Sequence, residues 1–357
     1  MESLPQPLSR PRTGSDAAAR VLTALIALVL VPLSSLAFIG GIMGLFSLWN
    51  QVMQRGMPLD QLVLGSQEIT GLALTAVGII LLVVVMLTGI SSSAGLLVTG
   101  LFVLVDLVCL VAPGALLGVV QQVPGSYGLS LMQWTMYGFP ALLHLTLLGA
   151  GIALVIARRR PDPGPAFSVL GIVVVPLLFL VGVALLLLGS HEGVTRAAIT
   201  FQTQVPPAAV LFALVGTALM LLGMAATRWS PWAGVLPALL LLALTVAWMV
   251  PDLRMLIPSG PGGIVFTLSS TLALLGGGVA LALLLLTHTV VLAAVRHRSR
   301  RLQRAAAEGY AAAADEFSAD GRSTIDGRSD ADGPDADHWR SQTRHPEAPP
   351  QPGPVAR

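Results

Sequence analysis

The sequence predicts an all-α polytopic membrane protein of eight transmembrane helices. Three observations carry that prediction. Mean hydropathy is +0.80. Of the 357 residues 54% are apolar and only 11% are charged, against about 25% charged in a soluble domain. The apolar residues fall into eight runs of about twenty, the length that crosses a hydrocarbon core of about 30 Å. None alternates as a barrel strand would, so helices are the means of satisfying the backbone in lipid.

The runs are 21–49, 70–90, 94–112, 137–157, 167–188, 208–226, 232–250 and 264–295. The first is too long for a signal-peptide core of about 7–15 residues and lacks a small-residue cleavage site, so it reads as a retained helix. The turn Ser91-Ser92-Ser93 separates the second and third runs. Pro113-Gly114 ends the third, because proline cannot continue the hydrogen-bond ladder. Arg158-Arg159-Arg160 stops the fourth, and Pro251-Asp252 closes the seventh. The stretch 113–138 has no charge and is rather apolar, which predicts that it folds back on the membrane interface.

Arginine supplies all twenty basic residues, and its placement gives orientation. Arg10, Arg12 and Arg20 precede the first run, Arg158 to Arg160 follow the fourth, Arg228 lies between the sixth and seventh, and Arg296, Arg298, Arg300, Arg301 and Arg304 follow the eighth. The opposite loops hold only Arg55, Arg196 and Arg254. The positive-inside rule puts both termini in the cytoplasm of a plasma membrane protein, in agreement with the even count. The basic pI carries no nucleic-acid meaning, since the formal net charge is only +2. The cluster Arg296, Arg298, Arg300, Arg301 and Arg304 is expected to attract anionic lipid headgroups at about 1 kcal/mol per residue.

The halves resemble each other. Leu30-Val31-Pro32-Leu33 matches Val174-Val175-Pro176-Leu177, Ala94-Gly95-Leu96-Leu97 matches Ala233-Gly234-Val235-Leu236, and Leu147-Leu148-Gly149-Ala150-Gly151 matches Leu274-Leu275-Gly276-Gly277-Gly278. The order predicts a parallel 4+4 internal repeat about an axis along the membrane normal. The organisation expected is a cytoplasmic N-terminal tail (1–20), a first four-helix repeat (21–160), a second (161–304) and a disordered cytoplasmic tail (305–357). Residues 305–314 could extend the last helix. The remainder is polar and of low complexity, with Asp-Gly-Arg-Ser twice. Asp330-Ala331-Asp332-Gly333 opens like a calcium loop, but the later positions do not fit one.

Two ionisable residues lie well within spans, Asp106 and His144. Each is about seven residues from the arginine-poor end of consecutive antiparallel helices, hence about 10 Å deep. Equal depth predicts a side-chain pair facing the bundle interior, because an unpaired charge in lipid costs at least a few kcal/mol. The pair reads either as a proton relay or substrate contact, or as one hydrogen bond tying two helices. In the repeat alignment Thr245 stands for Asp106 and Thr271 for His144. His144 and His288 lie at different depths, which rules out a shared haem iron. A lone cysteine, Cys109, allows no intrachain disulfide or thiolate cluster. His191-Glu192 has no second histidine nearby, and HExxH, GxSxG, P-loop and GxGxxG motifs are missing. No cofactor or metal is therefore expected.

The function expected is that of a transporter or permease for an unidentified solute. A membrane scaffold or regulatory subunit of an envelope complex, with membrane protein partners, is the alternative. An intramembrane lipid-modifying enzyme, with His144 as base and Asp106 as orienter, is a lesser one, since the sequence offers no obvious nucleophile.

Overall fold

A computed structural model describes residues 14–53, 61–123, 125–159, 164–197, 204–250, 253 and 264–326. They are helical nearly throughout. The elements are α1 Gly14–Met53, α2 Ser66–Thr88, α3 Ala94–Val98, α4 Gly100–Val111, α5 Pro113–Gln122, α6 Ser126–Met136, α7 Phe139–Arg159, α8 Pro165–Ser190, α9 Pro207–Ala226, α10 Val235–Met249, α11 Ile264–Leu274 and α12 Gly277–Asp326. Among the described residues, eight helices are long and apolar enough to cross a membrane. Chain contacts divide the protein into Met1–Ser299 and Arg300–Arg357.

Helix pairs assemble through glycine. A side chain at Gly41 on α1 would sit 2.8 Å from the carbonyl of Gly71 on α2. One at Gly182 on α8 would sit 2.7 Å from the backbone nitrogen of Met220 on α9, and one at Gly189 would sit 2.6 Å from the carbonyl of Ala209. In lipid no solvent squeezes helices together, so close backbone approach and dispersion hold them. α7 is the most enclosed span: 78% of its most apolar stretch is buried, against 28–61% for the others. It therefore forms the inner wall on which the candidate site is built.

The stretch 113–138 is mainly two helices. Pro113 starts α5, where its missing N–H has no ladder partner to lose. α6 returns against α1 and α7. Its Trp134 is buried and stacks on Phe38 of α1, ring centroids 4.7 Å apart. Gly138, at φ +68°, turns the chain from α6 into α7, a backbone conformation that glycine adopts without steric cost.

The same device corrects the eighth run. The sequence reads as one helix from 264 to 295, but the backbone breaks between α11 and α12 at Gly276, with φ +82°. Apolar residues flank the break on both sides, so hydropathy alone hides it. Two further boundaries move. Helix α1 begins at Gly14, within the expected N-terminal tail. The backbone is helical through Asp326, beyond residue 314, to which the last helix could extend. Its Ala-rich composition favours helix. Residues 327–357, which hold the calcium-loop-like segment, lie outside the described residues, as do Arg55 and Arg254.

Candidate functional site

Asp106 lies on α4, two turns before the Pro113 stop. His144 lies on α7, shortly after the Gly138 turn. These two chain breaks set both residues at one depth, and the structure brings them together: His144 Nδ1 is 2.6 Å from Asp106 Oδ2. Asp106 is 9% exposed and His144 5%. Burial strengthens the pair, since water cannot compete for either partner. The Phe102 ring, one turn before Asp106, covers the imidazole at 5.7 Å between centroids.

The other ring nitrogen has a partner that sequence reasoning missed. Ser35 Oγ on α1 lies 3.4 Å from His144 Nε2 and 3.2 Å from the carbonyl of Val31. Ser34 also donates to that carbonyl, at 2.7 Å. Both serines lie within one turn of Pro32, where the helix lacks one backbone donor. A Pro-x-Ser-Ser group inside an apolar run was the available signal. Hydroxyls in such runs commonly bond back to their own helix, so the group gave no reason to expect a cross-helix contact.

Three helices thus contribute to one chain of polar atoms, Ser35–His144–Asp106. Two proton arrangements satisfy it. With neutral imidazole, Nδ1–H donates to the carboxylate, and Ser35 donates its hydroxyl hydrogen to Nε2. With imidazolium, both ring nitrogens donate, and Ser35 accepts at Oγ while its hydrogen turns to Val31. The serine follows either state by rotating one bond.

Among the described residues, the positions that the sequence alignment sets opposite Asp106 and His144 hold no like pair. Thr245 donates to the Leu241 carbonyl at 3.0 Å and Thr271 to the Thr267 carbonyl at 3.0 Å, each within its own helix. The other deeply buried histidine, His288 on α12, places Nε2 2.9 Å from Thr227 Oγ1. Thr227 gives its hydrogen to the Met224 carbonyl at 2.6 Å, so His288 donates and Thr227 accepts. Cys109 is a free, half-buried thiol. Among the described residues no group of three His, Cys, Asp or Glu is placed to hold a metal ion.

Two arginines cap helices. Arg158 at the end of α7 donates to the carbonyls of Gly89 and Ile90, just past α2. Arg296 on α12 donates to the carbonyl of Arg228, just past α9. Each cation meets the negative end of a helix and satisfies otherwise unpaired carbonyls. This corrects the expectation for Arg296. Its side chain is buried against protein, 8% exposed, rather than extended to headgroups.

At the arginine-poor end, a cavity of about 350 Å³ opens between α1, α2 and α6. Gly40, Gly44, Thr70, Tyr127 and Ser130 help line it. Gly40 is five residues beyond Ser35, about 7.5 Å along α1.

Compared with protein families, curated proteins and solved structures, the chain finds no match.

Proposed function

We propose that the protein is a proton-coupled transporter or permease of the plasma membrane, with both termini cytoplasmic, and that Asp106 and His144 form its protonation switch. The single observation that carries this reading is the buried chain Ser35–His144–Asp106. It joins three helices and accepts or releases a proton without stranding a polar atom. The cavity one and a half turns along α1 supports it as a solute vestibule. Protonating such a pair reverses the Ser35–Nε2 hydrogen bond and adds a charge between α1, α4 and α7, the differential interaction an alternating carrier needs.

The test is ¹⁵N NMR of His144 in the full-length protein in bilayers, scanned from about pH 5 to pH 9, the range a histidine switch must cover. The carrier reading expects His144 to change proton count, and expects solute-driven currents in reconstituted vesicles to vanish in Asp106→Asn. An imidazole that keeps one tautomer throughout leaves the pair as helix glue and favours the scaffold reading.

Ser35 beside Nε2 also gives substance to a lipid-modifying enzyme, because the order serine, imidazole, carboxylate is that of an activated nucleophile. The geometry supports this less well. The backbone N–H groups around Ser35 belong to the ladder of α1, so no donors stand ready for an oxyanion. Labelling of the wild type by a fluorophosphonate, abolished in Ser35→Ala, would favour the enzyme.

We further infer that the chain is a parallel duplication of one four-helix unit. Gly138 and Gly276 both break a helix at positive φ before the fourth span. Arg158 and Arg296 both cap the second span of their half. Thr88 and Thr227 both bond back at its end, to Val85 and Met224. All three pairs share a spacing of about 138 residues. The turn glycines therefore align His144 with Ala282, not with Thr271. Arg298, Arg300, Arg301 and Arg304 remain the candidates for anionic headgroups, and 327–357 for the disordered tail.

A further inference from the structure

A second cavity, of about 450 Å³, lies at the arginine-rich end of the bundle. Arg20, Arg158 and Arg159, the three hydroxyls Ser91, Ser92 and Ser93, and the apolar Leu97 and Val155 contribute to its wall. Every ionisable residue lining it is arginine. Arg298 stands close enough to Arg158 for their like charges to interact. Converging cations with no lining carboxylate favour an anion, and guanidinium and hydroxyl groups together match phosphate oxygens.

An adjoining cavity of about 520 Å³ shares Val155 and Arg159 with the first. Its wall is mostly apolar and includes Leu178, Leu222, Trp229 and Arg228. A basic, hydroxyl-lined chamber thus opens beside a greasy one at the ends of membrane spans. That juxtaposition fits a molecule with a phosphate head and hydrocarbon tails better than a free anion, for which the second chamber is superfluous.

We propose that the cavity of Arg20, Ser91–Ser93, Arg158 and Arg159 is a binding site for the phosphodiester headgroup of an anionic phospholipid, with an acyl chain in the adjoining apolar cavity. Arg158 also caps α2, so it orients the chamber from its helix end. Arg20 and Arg159 make no such backbone contact among the described residues and supply charge to the ligand. The site is separate from the Ser35–His144–Asp106 chain and does not depend on transport.

The experiment is native mass spectrometry of the full-length protein with phosphatidylglycerol, phosphatidylcholine or inorganic phosphate added. Phosphatidylglycerol is expected to stay bound where phosphatidylcholine is lost. Arg20→Gln and Arg159→Gln are each expected to raise its apparent Kd about fivefold, the factor for one arginine near a charged headgroup. Arg196→Gln, at the arginine-poor end, is expected to leave tight binding unchanged. Equal retention of the two lipids, or an equal loss in the Arg196 variant, would overturn the proposal. Displacement of lipid by inorganic phosphate would assign the chamber to a free anion instead. A measurement on the wild type guards against misfolded variants. Phosphatidylglycerol carrying a photoreactive headgroup should crosslink within 91–97 and 155–159, and crosslinks confined to other segments would refute the site.

Discussion

At the arginine-rich end of the region α1–α7, Arg158 closes α2 on the carbonyls of Gly89 and Ile90, and in the region α8–α12 Arg296 does the same for α9 on Arg228. At mid-depth the regions part. Where the first holds Asp106 against His144, the second has Thr245 bonded to its own helix. Features that cap helices and turn the chain recur. The Asp106–His144 pair does not. The recurring parts answer a problem every membrane helix shares, the unpaired groups at its ends. The Asp106–His144 pair answers no such problem, since the second region packs without it. That contrast supports the proposal that the pair serves function and the caps architecture.

The sharpest way to break the comparison is at the glycine contacts. Gly41→Val and Gly189→Val should each abolish a monodisperse folded protein on size exclusion. In both, the added atoms meet backbone: the Gly71 carbonyl at 2.8 Å and the Ala209 carbonyl at 2.6 Å. Overpacking costs about 1–3 kcal/mol where side chains can shift, and here only whole helices can. Sensitivity in one region alone would show that the two helix pairs are not held by the same means.

Next come the histidines. His144→Leu strands a buried carboxylate and should cost about 3–5 kcal/mol, the loss expected when one partner of a buried pair is removed. His288→Leu removes a donor from a threonine that keeps its own backbone bond, and should cost about 0.5–1.5 kcal/mol. Unfolding in bilayers or mixed micelles reads both. Equal losses would erase the distinction between the regions. Arg158→Gln and Arg296→Gln should fall between, at about 1.5–3 kcal/mol each, because each removes a charged donor from a helix end. Here the two regions are expected to respond alike.

Much of this was legible in the sequence, for a physical reason. Transfer into lipid is so unfavourable for polar groups that span number and the depth of Asp106 and His144 follow from hydropathy and helix rise. What escaped was whatever leaves hydropathy unchanged. Gly276 breaks a helix within an apolar run, so 264–295 reads as one span. Ser35 is small and usually bonds its own helix, so nothing in its neighbours announces His144. Arg296 looks like its exposed neighbours until the end of α9 is placed beside it. Local composition records the cost of entering lipid. It does not record which helix becomes the neighbour.

The smallest expected effect is also the most discriminating. Ser35 is 3.4 Å from His144 Nε2 and 3.2 Å from the Val31 carbonyl. Both contacts are long, and neutral hydrogen bonds contribute about 0.5–1.5 kcal/mol at best. Ser35→Ala should therefore lower stability by less than about 1.5 kcal/mol and leave the Asp106–His144 contact in place. Its effect on proton chemistry should be larger than its effect on the fold. Without the hydroxyl, neutral His144 loses the donor to Nε2 and imidazolium loses its acceptor, so neither state keeps its second partner. The ¹⁵N signal of Nε2 should shift at every pH, while Nδ1 still reports a carboxylate partner. Thr245→Val, in the region that lacks the pair, should leave both nitrogens unmoved. If Ser35→Ala leaves Nε2 unchanged, the serine is bonded only to Val31, the three-helix chain contracts to the Asp106–His144 pair, and the link from α1 to the switch is gone.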